Sequence, residues 1–320
     1  YKDWEGNPLK GPVSGYPAPE LGPEDYNNYE FAPSRIILWV ANQQHLYFGS
    51  FVLAVPIFCM LIEFIGIRVK EEDPVMAEKY DRLAKDLMKV SLTAYSWTAI
   101  LGGILLFTFI TLFPGFFKYM AGIFRPVMHV YALMFLAESG VLYVYYYGWD
   151  KMKDDTFLKW IHCSLSVLLN LIGTVLMYLA NSWATFMQAP GGIDSEGRFL
   201  GNIWHVIHST LWNPVGVHRI LGNIVFGGGI VGAYAAYHYL TAKNEEERAH
   251  YDWVCYVAMF ICIFGLIPLP FAGYWLMKEV YAFRQQMGIT LMGGIMAWLF
   301  IIQAVMIGLL FFAANSYLHN

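Results

Sequence analysis

The chain has 320 residues, 58% of them hydrophobic and 14% charged, with a mean hydropathy of +0.45. A soluble domain carries roughly 25% charged residues, so lipid is the natural solvent for this composition. The net charge of −4 and the absence of any basic tract exclude nucleic acid as a partner.

Residues 1–35 are rich in Gly, Pro, Tyr and acidic side chains, lack hydrophobic periodicity, and read as an extramembrane arm. The sequence begins at Tyr1 with no signal peptide in view, so a missing leader or an incomplete terminus is expected. Residues 36–320 form the second region, a helical bundle. Its seven apolar segments lie near 37–66, 92–117, 121–147, 160–183, 218–240, 252–276 and 288–314. Each supplies the run of about 20 apolar residues that a membrane span needs. Lipid offers the backbone no hydrogen bonds, so these spans are helices and the expected fold is an all-α, seven-helix integral membrane bundle.

Basic residues orient it. The loop after the first span carries Arg68, Lys70, Lys79, Arg82, Lys85 and Lys89. The loop after the third carries Lys151, Lys153 and Lys159, and that after the fifth Lys243 and Arg248. The opposite loops hold fewer, among them Arg125, Arg198, Arg219, Lys278 and Arg284. The positive-inside rule then puts the N-terminus outside.

With that topology, five histidines gather toward the outer face. His45 lies about two helical turns into the first span. His129 sits at similar depth in the third, and His218 opens the fifth. His205 and His208 belong to a 184–217 outer connection, long for a bundle, whose Trp/Ile/Leu face suits the membrane surface. Imidazole is a common axial ligand of heme iron, and ionisable groups at membrane depth point to function. The expected ligands are His45 and His218 first, then His129, His208 and His205. His162 and His238 fall at inner span ends, where water or headgroup contact is the plain reading and a second heme the bolder one. After His218 come Gly222, Gly227, Gly228, Gly229 and Gly232, which read as a helix-packing face ahead of a macrocycle cradle.

Two carboxylates lie within spans. Glu138 reads as a proton path or a neighbour of heme propionates, and Glu63 as snorkelling or pairing with Arg68. Cys59, Cys163, Cys255 and Cys262 sit in apolar runs without CxxC or CxxCH spacing. They read as small core residues, and any heme is held noncovalently. Tyr143, Tyr145, Tyr146 and Tyr147 read as an interfacial belt.

Several short runs carry a resemblance. ANSWATFMQAP, residues 180–190, resembles the ANxWMQxP signature of the cytochrome bd quinol oxidase subunit I family, with a short insertion between Trp183 and Met187. NQQHLYFGSF, FLAESG, YYYGWDKM, WNPVGVHRILGN and YAFRQQMG resemble further family elements over the first five spans and part of the seventh. The resemblance implies that His45 is a heme ligand, that Glu138 serves proton delivery, and that Arg284 lies near a propionate. The chain also departs from the pattern. The family's low-spin heme ligand falls at about Gly222, one turn after His218. The FRxM methionine position holds Gln286, with Met287 next to it, and His129 stands one residue out of register with a family glutamate. The quinol loop shrinks to GYWLMKEVYAFRQ, no GRQPW occurs, and seven spans stand against the family's nine.

The expected function is therefore a subunit of a respiratory complex in the bacterial inner membrane, carrying one or two hemes b. It would pass electrons between the quinone pool and a cytochrome c or peripheral dehydrogenase, with other subunits and membrane lipid around it. The expected cofactor set is His45, His218, His129, His208, His205, the Met287 thioether and Arg284, with quinone as a further candidate. The alternatives are subunit I of a divergent bd-type terminal quinol oxidase reducing O2, and a heme-free membrane anchor.

Overall fold

The computed structural model describes residues 31–195, 197–293 and 297–319. The expected arm falls mostly on residues 1–30, outside the described ones. The chain divides within one helix into two compact units, the first ending at Leu179 and the second beginning at Ala180. Among the described residues seven helical stretches are long and apolar enough to cross a membrane. This is an all-α multi-pass membrane protein.

The first unit holds α1 (Ser34–Val69), α2 (Pro74–Leu112), α3 (Pro114–Met152) and most of α4 (Thr156–Gln188). In α1 the buried Val52, Val55, Cys59 and Ile62 recur at helical spacing. They face a matching stripe on α2 at Ala84, Leu87, Met88, Ser91, Ala94 and Tyr95. Small residues let the backbones approach: Cys59 Sγ lies 3.4 Å from the Ala84 carbonyl, and a Cβ on Gly66 would stand 3.1 Å from Tyr80 Cβ.

The expected loop 67–91 is mostly helix. Asp73 caps α2 by accepting from Met76 N at 2.9 Å, with Pro74 in the first turn, so the charged stretch from Lys79 to Lys89 forms the helix's opening turns. The second and third spans meet at Phe113, since Pro114 cannot continue α2 but starts α3 well. Residues 114–117, expected in the second span, belong to the third.

The second unit holds the end of α4, then α5 (Ile203–Ile207), α6 (Trp212–Thr241), α7 (Glu245–Leu266), α8 (Leu269–Phe283), α9 (Gln285–Gly293) and α10 (Ala297–His319). The connection is shorter than expected, because α4 runs to Gln188 and α6 begins at Trp212. His218 therefore lies inside α6 rather than at its start. Within the connection Gly192 turns at φ +71°, and a Cβ there would strike Val206 Cγ2 at 2.9 Å. The sixth span is interrupted at Ile267–Pro268, where two prolines close together, Pro268 and Pro270, end α7 and start α8. Of the expected seventh span, 288–314, the described residues up to Gly293 belong to α9 and those from Ala297 to α10.

The glycine face of α6 packs on α7. A Cβ on Gly228 would come within 3.0 Å of Cys262 Cβ and 3.2 Å of the Ala258 carbonyl; one on Gly232 would meet Met259 Cε at 2.5 Å. The Met259 side chain has room to yield, whereas the Ala258 and Cys262 backbone does not. Gly228→Val should therefore destabilise the unit by about 1–3 kcal/mol, against a much smaller effect for Gly229→Val, whose Cβ faces open space. Thermal unfolding of the two variants in detergent distinguishes them.

Candidate functional site

In the first unit the half-buried His45 of α1 faces α2. Its Nδ1 donates to the Thr98 carbonyl at 3.1 Å, which places the ring's lone pair on Nε2. One turn further along α2, a Cβ on Gly102 would stand 3.0 Å from His45 Cε1, so glycine leaves the ring its room. This is the outer-shell arrangement that fixes an iron-ligating histidine: one nitrogen tied to a carbonyl, the other basic. His129 of α3 is exposed.

Glu138 is buried at 7% exposure and lines a small cavity with Val52, Pro56, Tyr95, Asn170 and Gly173. Gly173 is required there, because a Cβ would stand 3.0 Å from Glu138 Oε1 and from Leu53 Cδ2. The lining is mostly apolar, with Tyr95 and Asn170 as its polar side chains beside the carboxyl. Tyr95 Oη lies 2.5 Å from Ser139 Oγ, and Asn170 Nδ2 donates to the Pro56 carbonyl at 3.1 Å. Pro56 lies inside α1 and has no N–H to donate to the carbonyl one turn before it. Gly173→Ala should push the Glu138 carboxyl aside at a cost of about 1 kcal/mol, seen as an altered carboxyl stretch with the fold retained.

In the second unit the half-buried His218 of α6 faces α8: its Nε2 lies 3.6 Å from the position a Cβ on Gly273 would take. Arg284 ends α8, and its Nε is buried without a hydrogen-bond partner among the described residues. Met287 packs against the apolar cluster of Ala189, Leu211 and Val280. Asn181, from the 180–190 run, accepts from Arg219 Nη1 at 2.5 Å and so joins two of the quoted motifs. His205 Nε2 lies 3.2 Å from Asn202 Nδ2, and the exposed His208 sits between the rings of Trp204 and Trp212. Among the described residues no three His, Cys, Asp or Glu side chains gather as for a bare metal ion.

Four expectations fail at the other end of the first unit. His162 is fully buried, with Nδ1 2.5 Å from Glu63 Oε1 and Nε2 donating to the Tyr145 carbonyl at 2.8 Å, so both ring nitrogens are used and neither is available to iron. Glu63 pairs with Lys159 at 2.7 Å rather than with Arg68, whose guanidinium lies over the Phe64 ring. Lys159, counted above as a loop charge, is buried. Tyr145 lies in this core and not in an interfacial belt, donating to Glu63 Oε2 at 2.8 Å.

The donor set fits heme on two observations: a tautomer-fixed His45 over a glycine, and a buried, orphaned Arg284 Nε suited to a propionate. An all-helical membrane bundle with such residues is of the membrane-cytochrome class. The family model for cytochrome bd terminal oxidase subunit I matches residues 34–297, and the chain belongs to that family. The solved structure of the bd oxidase from Geobacillus thermodenitrificans superposes with a TM-score of 0.66 at 15% identity, covering 77% of this chain and 55% of that one. This chain thus spans little more than half the length of that relative. No curated protein matches it.

Proposed function

We propose that this chain is subunit I of a divergent bd-type terminal oxidase of the bacterial inner membrane, taking electrons from quinol and delivering them to O2. The observation that supports it most is His45, held by the Thr98 carbonyl with its lone pair on Nε2 and with Gly102 making room beside the ring. His45 would hold one heme b. In the second unit His218 would hold another with Met287, and Arg284 would meet its propionate. His129, His205 and His208 stand behind these as further ligands. Heme, when bound, supplies reversible one-electron chemistry. Glu138 holds a proton at a buried carboxyl among Tyr95, Ser139 and Asn170, where water is largely excluded. The N-terminus lies outside by the positive-inside rule, with the arm 1–35 and the connection on that face and the remaining residues in the bundle.

A second reading has its own support. Gly222 and Gln286 occupy the family's low-spin ligand positions, and Met287 is packed into an apolar cluster. Those departures favour electron transfer between the quinone pool and a cytochrome c or peripheral dehydrogenase, without oxygen reduction. Purification of the complex from native membranes separates the readings. Reduced-minus-oxidised b-type bands with a CO-reactive species and oxygen consumption support the oxidase. Bands without CO reactivity support electron transfer, and a spectrum without a Soret band sinks both in favour of a heme-free anchor.

A further inference from the structure

At the end of the first unit away from His45, four helices bring ionisable groups into one buried cluster. Glu63 comes from α1, Asp81 from α2, Tyr145 and Trp149 from α3, and Lys159 and His162 from α4. Exposure is 1% or less for Glu63 and His162 and 7% for Lys159, while the Asp81 side chain is 25% exposed. Lys159 bridges the two carboxylates, bonding Glu63 Oε1 at 2.7 Å and Asp81 Oδ1. Trp149 Nε1 donates to Asp81 Oδ2 at 3.0 Å, and the Lys159 ammonium lies 4.8 Å from the Trp149 ring centre.

The hydrogen-bond directions fix the proton count. The Tyr145 carbonyl only accepts, so His162 Nε2 carries a hydrogen. His162 Nδ1 then faces Glu63 Oε1 at 2.5 Å, and two lone pairs cannot approach so closely without a hydrogen between them. One proton therefore lies in that contact, whether it is written as imidazolium with carboxylate or as imidazole with carboxylic acid. With it, Lys159, Asp81, Glu63 and His162 sum to zero charge; without it they carry one negative charge in a buried site, which is unfavourable. The other titratable groups facing the pair are Tyr145, whose hydroxyl donates to Glu63 Oε2, and Cys59 and Cys163 from α1 and α4.

The geometry points to a one-proton exchange site at Glu63 and His162, loaded and emptied through Lys159 and Asp81. Unloading moves a single proton. Lys159 gives an ammonium proton to the Asp81 carboxylate and takes the shared proton from Glu63 Oε1, ending as it began. Asp81 releases its proton to water, and the four groups pass from neutral to one negative charge. Neither heme nor an oxidase activity is needed for this, so the site stands apart from the function proposed above.

The test is infrared difference spectroscopy of the full chain in lipid nanodiscs after pH steps and after transfer to D2O. Unloading is expected to give a carboxyl band that shifts in Glu63→Asp and vanishes in Glu63→Gln, coupled to an imidazole mode lost in His162→Gln. Asp81→Asn keeps one acceptor oxygen for Lys159, gives up the second one that Trp149 uses, and cannot take up a proton, so it should leave the bands in place and slow their exchange on the order of a hundredfold. If Glu63→Gln or His162→Gln does not fold, the Glu63→Asp shift and the Asp81→Asn rate decide alone. Bands that do not respond to pH, or exchange in Asp81→Asn at the unmodified rate, would overturn the assignment.

Discussion

Glu63→Ala should destabilise the protein by on the order of 3–5 kcal/mol, because it leaves a buried ammonium and a buried imidazole without their shared carboxylate. Several groups converge on that one side chain: Lys159 Nζ at 2.7 Å and His162 Nδ1 at 2.5 Å meet the same Oε1, and Tyr145 Oη bonds Oε2 at 2.8 Å, while Lys159 also pairs with Asp81. Water cannot replace the lost acceptor, since Tyr145 and His162 have no measurable exposure. Glu63→Gln keeps an acceptor oxygen and the side-chain volume, so it should cost far less. The telling comparison is a double-mutant cycle. Lys159→Met should cost less in the Glu63→Ala background, where only its pair with Asp81 is left to lose, giving a coupling energy of about 0.5–3 kcal/mol. Denaturation of the four proteins in mixed micelles measures it. Equal losses for Glu63→Ala and Glu63→Gln would show that the volume and oxygen kept by Gln contribute nothing and that the charge alone accounts for the loss.

That cluster also marks where the sequence stops being legible. The seven spans were readable because hydropathy reports the solvent around a segment, and the all-α bundle follows from lipid's lack of hydrogen-bond partners. Hydropathy does not name partners. Glu63 lies 99 residues from His162 and 82 from Tyr145, and no local pattern links them. The local candidate, Arg68, sits on Phe64 instead. Lys159 looked like a loop charge because it stands near the start of α4, yet Glu63 and Asp81 draw it inward. The charged stretch from Lys79 to Lys89 looked like loop for a similar reason. A helix that begins outside the apolar layer shows no hydrophobic run, although Asp73 and Pro74 are a readable start signal. Helix ends at Pro114 and Pro268 follow from proline chemistry and could have been placed more closely. At the candidate heme positions, sequence resemblance singled out His45, Glu138 and Arg284. The Thr98 carbonyl, Gly102, Gly173 and the Asn181–Arg219 bond required three dimensions, because each acts on a residue far from it along the chain.

His45→Ala should abolish the b-type absorption of the heme assigned to it, and Gly102→Val should do nearly the same without touching the ligand. The argument for the second variant is steric. The Cβ of residue 102 would already stand 3.0 Å from His45 Cε1 and 3.3 Å from Nδ1, and the branches of valine would displace the ring from the Thr98 carbonyl. Losing that bond frees the tautomer, and outer-shell partners of this kind are worth roughly 10–100-fold in metal affinity. Gly103→Val supplies the control. It lies on the same helix, gains the same helix propensity of about 0.5 kcal/mol over glycine, and its Cβ meets open space. A pyridine hemochrome assay with reduced-minus-oxidised spectra of the three variants and the unmodified protein reads the result directly. Loss in His45→Ala and Gly102→Val with retention in Gly103→Val supports a heme whose ligand is positioned across α1 and α2. Unchanged heme in His45→Ala sinks the ligand assignment. Loss in His45→Ala alone keeps the ligand and removes the role given to Gly102.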